Sequence, residues 1–136
     1  MNMRNVMLVA GLVIVLGIGG YFIFTQEPAP PEVPSDCADF TEQDTTITYT
    51  EAKVFDPFCV KVSSGASVTW QNESGSALEV GADPHPVHTG NREVSNDEFV
   101  LELADGESST VTVTTVGAFG YHDHLNSSAT GIIVVE

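Results

Sequence analysis

The clearest structural signal in the chain is Phe55-Asp-Pro-Phe-Cys-Val-Lys-Val-Ser-Ser-Gly-Ala-Ser-Val-Thr-Trp-Gln-Asn72. It contains two short runs rich in β-branched residues, Cys59–Val62 and Ser67–Asn72. In the second run Val68 and Trp70 alternate with polar residues, which predicts a strand with one buried face and one solvated face. Trp70 is therefore predicted to anchor the core.

The same kind of pattern fills the chain from Thr45 onward, where helix signals are almost absent. Short strands recurring roughly every eight to twelve residues predict an all-β, antiparallel sandwich or barrel. The predicted strands are Thr45–Thr50, Lys53–Phe55, Cys59–Val62, Ser67–Asn72, Ala77–Val80, Glu98–Leu103, Ser109–Thr115, Phe119–His122 and Thr130–Val135. Phe99 and Phe119 are predicted core residues. The segment 81–97 is too long for a hairpin turn, and such loops are often functional.

The N-terminal region divides the chain into three parts. Residues 1–25 contain the uncharged run Val6–Phe24, which is long enough to cross a bilayer and predicts a single-pass membrane helix. A cleaved signal peptide is the alternative. Residues 26–36 form a Pro-rich linker, and residues 37–136 form one domain. Because Arg4 precedes the apolar run, we expect the domain on the periplasmic or extracellular side of the cell membrane.

Charge and cysteine content restrict the partners and the compartment. All nineteen acidic residues follow the apolar run, beside three basic residues, so that part of the chain carries a net charge of −16. This balance excludes nucleic acid as a partner and favours cations or basic proteins, although adaptation to a salty medium explains it equally well.

The two cysteines, Cys37 and Cys59, predict a disulfide in an oxidising compartment. A metal thiolate is the alternative role for one of them.

All four histidines lie in two short segments. His85 and His88 belong to Asp83-Pro-His-Pro-Val-His-Thr89, and His122 and His124 flank Asp123 in a predicted loop between two strands. Imidazole is the commonest protein ligand for copper and zinc, so two close pairs predict a mononuclear metal site. If the strand continues, His122 and His124 point to one side and Asp123 to the other.

The stretch quoted first resembles the first half of a cupredoxin, the superfamily of plastocyanin and azurin. That family has the pattern F-x-P-x-x-x-x-V-x-x-G-x-x-V-x-W-x-N. The segment Gly117-x-Phe-x-Tyr121 through Gly131-x-x-x-Val135 resembles the family's C-terminal ligand loop. The resemblance implies a Greek-key β-sandwich with the metal loops at one end.

The family's four blue-copper ligands are absent from the matching positions. Its cysteine falls on Asp123, and its two histidines and methionine fall on Leu78, Asn126 and Ala129. Without a thiolate, neither the blue colour nor plastocyanin-like electron transfer is expected. Asp123 is then either a metal ligand or an outer acceptor that orients an imidazole, and we favour the second role.

Three functions remain open from the sequence. The first is a membrane-tethered domain that binds one copper ion, with zinc as the alternative metal, for copper binding, delivery or sensing. Its partner would be a redox or copper-transfer protein. The second is a type 2-like copper redox enzyme, since the element Gly120-x-His-x-His124 is similar to one in copper–zinc superoxide dismutase; we see no further catalytic signal. The third is a metal-free interaction module. We prefer the first.

Overall fold

The protein forms an all-β sandwich. The computed structural model describes residues 29–136, so the predicted membrane segment lies outside the described residues. Residues 29–37 carry no strand or helix. The described part of the chain contains no helix able to span a bilayer.

Ten strands build the two sheets. They are β1 (Ala38–Asp39), β2 (Thr45–Tyr49), β3 (Phe55–Asp56), β4 (Cys59–Val62), β5 (Ala66–Asn72), β6 (Leu78–Ala82), β7 (Leu101–Leu103), β8 (Ser108–Val113), β9 (Gly117–Asp123) and β10 (Asn126–Val135). One sheet has the order β1-β4-β10-β9-β6-β7 and the other β3-β2-β5-β8. The chain crosses between the sheets after β1, β3, β4, β5, β7 and β8, so neighbours in a sheet are mostly not neighbours in sequence.

The expectation of a purely antiparallel sandwich is wrong in one respect. Strands β1 and β10 both pair in parallel with β4, and β2 pairs in parallel with β5. The remaining pairings are antiparallel. Both sheets are therefore mixed, because strands distant in sequence are brought side by side by the crossings between the sheets.

The strand predicted at Cys59–Val62 is exact, and the other predicted strands have boundaries that differ from the structure by one to four residues. The strand predicted at Lys53–Phe55 begins instead at Phe55, because Lys53 has a left-handed backbone and belongs to the preceding turn. The segment 81–97 is not all loop: β6 extends to Ala82, and a 3-10 helix spans Arg92–Ser95. Asn91 caps this helix by accepting a hydrogen bond from the backbone N–H of Glu93.

An aromatic cluster in the core joins the two sheets. Trp70 on β5 and Tyr121 on β9 are fully buried, with ring centroids 4.7 Å apart in an edge-to-face arrangement. Phe55 contacts both rings. The Trp70 indole N–H also donates to the backbone carbonyl of Val94 in the 3-10 helix, at 2.9 Å. The prediction of Trp70 as a core anchor is thus confirmed, and the helix that follows the histidine loop is fixed to the core.

The disulfide predicted between Cys37 and Cys59 is confirmed. Cys37 precedes β1 and Cys59 begins β4, so the bond holds the N-terminal arm against the edge of the larger sheet. Closing a loop of 22 residues restricts the unfolded chain, which the entropic model values at about 3 kcal/mol.

Candidate metal centre

The structure brings all four histidines together. One ring nitrogen from each of His85, His88, His122 and His124 lies within 4.8 Å of the others. His88 and His122 are buried, His124 is half-buried and His85 is exposed. The two sequence segments therefore form one cluster of imidazoles rather than two separate pairs.

The cluster lies on the outer face of the six-stranded sheet, where the segment after β6 folds back over β6 and β9. Side chains alternate along β9: Tyr121 packs in the core, His122 points to the opposite face, and Asp123 points inward again. His122 lies in a strand, as the predicted strand Phe119–His122 has it, but the prediction that Asp123 lies in a loop is wrong: β9 extends to Asp123, and only His124 and Leu125 form the turn to β10.

Two glycines on this face leave room for the covering segment. Gly81 on β6 lies directly opposite His122 on β9, and a Cβ at Gly81 would collide with the ring of His88. A Cβ at Gly120 would collide with the carboxylate of Asp83. A larger residue at either position would displace the His88 ring or the Asp83 carboxylate from the place it occupies here.

His88 is held by the segment that precedes β7. Its Nδ1 lies 2.6 Å from the carbonyl oxygen of Phe99, and a carbonyl can only accept, so Nδ1 carries the proton. The Phe99 ring stacks on the imidazole with centroids 4.3 Å apart. Phe99 is 48% exposed, so its prediction as a core residue is wrong: it covers His88 instead.

His122 is held by a carboxylate that sequence reasoning did not select. Its Nδ1 donates to Asp83 Oδ1 at 2.6 Å, which fixes the ring orientation and leaves the Nε2 lone pair free. The available signal was the position of Asp83 two residues before His85. That signal is weak without knowledge that Asp83 sits above Gly120.

These two restraints aim lone pairs at one another. The Nε2 atoms of His88 and His122 are 3.2 Å apart, and Nε2 of a neutral imidazole that carries its proton on Nδ1 bears a lone pair. His122 Nε2 is also 3.2 Å from His85 Nδ1, and His88 Nε2 is 3.0 Å from His124 Nδ1. These three distances are close to the separation of about 3.3 Å between nitrogens bound tetrahedrally at roughly 2.0–2.1 Å from one ion, and all separations in the cluster are within 4.8 Å. The spacing and the donor set therefore fit a metal cation.

The electrostatic surroundings keep His88 in the state that a ligand requires. Burial lowers the pKa of His88, and the three neighbouring imidazoles lower it further, which together outweigh the carbonyl of Phe99. A histidine must be deprotonated at the nitrogen that binds a metal. His88 therefore remains neutral to lower pH than an ordinary histidine.

Asp123 is not part of the imidazole cluster. Its carboxylate accepts from the hydroxyl of Tyr49 at 2.9 Å and from the backbone N–H groups of Glu79 and Leu125. Burial, followed by the hydrogen bond to Asp123, raises the pKa of Tyr49 to about 12. Asp123 thus ties the turn that carries His124 to the opposite sheet, while the carboxylate that contacts a histidine belongs to Asp83.

The remaining positions of the family's blue-copper ligands are filled by other residues. Leu78 and Ala129 are buried members of the hydrophobic core, and Asn126 pairs with Asp123 at the start of β10. The histidine cluster thus lies on the other face of the sheet from the side chain that replaces the family's cysteine.

The chain is similar in sequence to plastocyanins. It is 34% identical over 88 residues to plastocyanin from Scenedesmus fuscus, an alignment that covers 62% of this chain and 89% of that protein. It is also 34% identical over 89 residues to chloroplastic plastocyanin from Tetradesmus obliquus, of which it spans 60% of the length. No family profile matches the chain.

Solved structures of cupredoxins share the fold. A purple cupredoxin from Nitrosopumilus maritimus matches with a TM-score of 0.56 and 16% identity, covering 68% of this chain and all of that one. A mutant plastocyanin of fern matches with a TM-score of 0.52 and 18% identity, covering 67% of this chain and 99% of that one. The two-sheet fold, the 34% sequence identity to a plastocyanin and the cluster of four histidines agree with one another. This chain belongs to the cupredoxin superfamily, as a variant without the cysteine and methionine ligands.

Proposed function

We propose that this domain binds a single copper ion through His85, His88, His122 and His124, for copper binding, delivery or sensing. The observation that carries the proposal is the 3.2 Å approach of the Nε2 atoms of His88 and His122. Two lone pairs at this distance repel each other unless a proton or a metal ion lies between them, and a metal ion can engage the other two imidazoles as well. Bound there, copper would supply a redox-active cation with imidazole ligands.

The affinity order of divalent metals supports copper over zinc at an all-imidazole site. Membership of a copper-protein superfamily supports the same choice. A thiolate is missing from the cluster, so the bound Cu(II) should lack the intense visible absorption of a copper–sulfur bond.

We also propose that the domain is held at the cell membrane by residues 1–25, on the periplasmic or extracellular side. The uncharged run Val6–Phe24 after Arg4 supports a membrane anchor and this orientation. The Cys37–Cys59 disulfide supports an oxidising compartment. A copper-transfer or redox protein would be the partner there.

Copper titration of the full chain in detergent tests the copper site. We expect one equivalent of Cu(II), with nitrogen hyperfine structure in the electron paramagnetic resonance (EPR) spectrum and no strong visible charge-transfer band. His122→Ala should abolish tight binding while the near-ultraviolet circular dichroism of the folded core is retained. Leu125→Ala is the matched control, because Leu125 is exposed and lies beside His124 in the same turn.

If the protein binds zinc in preference to copper, the four-histidine metal site stands and zinc replaces copper as the proposed metal. Absence of stoichiometric binding of either metal would overturn the proposal and favour a metal-free interaction module. Turnover of a small substrate by the copper-loaded protein would favour the redox enzyme.

A further inference from the structure

The four imidazoles of the cluster differ in how firmly the protein holds them. His88 and His122 are buried, and each uses its Nδ1–H in a 2.6 Å hydrogen bond, to Phe99 O and Asp83 Oδ1 respectively. His124 is half-buried, and its backbone N–H donates to the carbonyl oxygen of Glu79 at 2.7 Å. The side chains of His88 and His122 and the backbone of His124 are therefore fixed by contacts that do not depend on a metal.

His85 has no comparable restraint. It is exposed, its Nδ1 faces His122 at 3.2 Å, and within residues 29–136 its Nε2 has no hydrogen-bond partner. Holding an exposed side chain in one rotamer costs conformational entropy that nothing else in the described chain offsets here. His85 is therefore the imidazole that can leave the cluster at the lowest cost.

An open cavity of about 810 Å³ lies beside His85 and reaches His122. Pro30, Pro31 and Phe119 give it apolar walls, and Asp83 adds a carboxylate. Asp83 Oδ1 is engaged with His122, whereas no hydrogen bond to Oδ2 occurs among residues 29–136. An incoming molecule can therefore reach the cluster from this side without displacing a buried group.

We propose that His85 is the exchangeable ligand of the cluster and that the cavity admits a neutral imidazole base in its place. This inference rests on the proposed copper site. Asp83 and the net charge of −16 beyond the apolar run disfavour an anion in the cavity. An incoming neutral imidazole supplies the lone pair that His85 withdraws, so the exchange needs no proton and no change of oxidation state.

The base could be a free small molecule or the histidine of a copper-transfer protein, and the two sources share this chemistry. Ligand exchange at one exposed position would let copper pass between proteins while three imidazoles still hold it. In this arrangement the buried histidines determine the copper affinity, and His85 controls the access of an incoming base to the copper.

The experiment compares His85→Gly with His88→Gly in the full chain in detergent. Glycine is compatible with the backbone at position 88, where φ is 50°. We expect His85→Gly to bind one Cu(II). The loss of copper affinity relative to wild type should be at least about tenfold larger for His88→Gly than for His85→Gly. Millimolar imidazole should restore the wild-type EPR spectrum of copper-loaded His85→Gly and leave that of His88→Gly unrestored.

Three further measurements identify the class of the incoming ligand and distinguish loss of a ligand from a folding defect. Azide should not restore the spectrum of His85→Gly, because it is an anion. N-acetylhistidine methylamide, a mimic of a histidine within a chain, should restore it if the source is a protein; restoration by imidazole alone would indicate a free base. Imidazole should also shift the EPR spectrum of the wild-type protein, which needs no variant.

Loss of copper from His85→Gly as complete as from His88→Gly, or no spectral response to imidazole, would overturn the inference while the copper site stands. Failure of the wild-type protein to bind copper would instead overturn the proposed function, and this inference with it.

Discussion

Asp83 is the residue on which the geometry of the cluster depends most, although it is not itself one of the four converging donors. Its carboxylate fixes the tautomer of His122, and it precedes His85 and His88 in the same segment. Its backbone N–H also donates to the carbonyl oxygen of Gly120 on β9 at 3.0 Å, which holds the start of that segment against the sheet. A single side chain thereby orients one imidazole and places two others.

Replacing Asp83 by Asn should lower copper affinity by about 10–100-fold with little change in thermal stability. The amide oxygen can still accept from His122 Nδ1, but the negative charge that strengthens this hydrogen bond is lost. Calorimetric titration gives the affinity, and the EPR nitrogen hyperfine pattern reports the orientation of the ring.

Asp36→Asn is the control for the loss of one negative charge, since Asp36 is exposed and makes no side-chain hydrogen bond within the described chain. Equal affinities for wild type and Asp83→Asn would show that the carboxylate does not support the metal.

At the scale of elements, the 3-10 helix Arg92–Ser95 connects the histidine segment to the rest of the sandwich. Its Val94 carbonyl accepts from Trp70 in the core. Its Glu93 carboxylate accepts from the backbone N–H groups and hydroxyls of Thr114 and Thr115 in the β8–β9 turn. The helix therefore restrains the C-terminal side of the histidine segment.

Glu93→Gln should destabilise the domain at neutral pH and have little effect near pH 2. Burial raises the pKa of Glu93, but the hydrogen bonds from Thr114, Thr115 and Asn91 outweigh it and lower the pKa from 4.5 to about 2. A lowered folded-state pKa contributes stability above the unfolded-state value, and this contribution disappears as the pH falls towards 2. We expect a loss of about 1–3 kcal/mol at pH 7.

Urea unfolding at pH 7, 4 and 2 measures the difference between the two proteins. Glu98→Gln, which removes an exposed carboxylate without side-chain hydrogen bonds in the described residues, is the control. A difference between wild type and Glu93→Gln that does not shrink on acidification would contradict this account.

For the whole molecule, the dominant property is its negative charge. The chain carries −15 in total, with only three basic residues after the apolar run. In the described residues the one close pairing of a basic side chain with a carboxylate is that of His122 with Asp83, so the carboxylates have few internal partners. Mutual repulsion between surface carboxylates therefore opposes folding at low ionic strength.

The melting temperature of the metal-free protein should rise as NaCl increases from about 0.01 M to 1 M, because the screening length falls from roughly 30 Å to 3 Å. Differential scanning calorimetry measures the rise. A double variant, Glu51→Gln with Glu102→Gln, removes two exposed charges and should show a smaller salt dependence. A melting temperature that falls with salt would show that specific ion pairs outweigh the repulsion.

The sequence predicted the sandwich because its strands carry local signals. The alternation around Val68 and Trp70 on β5 and around Val111 and Val113 on β8 matches the burial of those side chains. Strand β1 was missed, since two residues held by a disulfide and a parallel neighbour show no periodicity. Lys53 was misplaced because its left-handed backbone has no distinctive residue type to mark it.

The candidate site was predictable only in its histidines. Clustering of the four residues in two segments shows in the sequence, and alternation correctly separated Asp123 from His122. The role of Asp83 was not accessible, because it depends on the β6–β9 register and on the space above Gly120. Phe99 was assigned to the core from its apolar character alone, whereas its position over His88 is a tertiary contact.

Gly81 and Gly120 bear on protein engineering. Grafting the four histidines alone onto another cupredoxin should not reproduce this cluster, because side chains at the positions of Gly81 and Gly120 would occupy the space of the His88 ring and the Asp83 carboxylate. At both positions the absence of a side chain is part of the site. A design that transfers the site must therefore specify glycine at two positions as well as histidine at four.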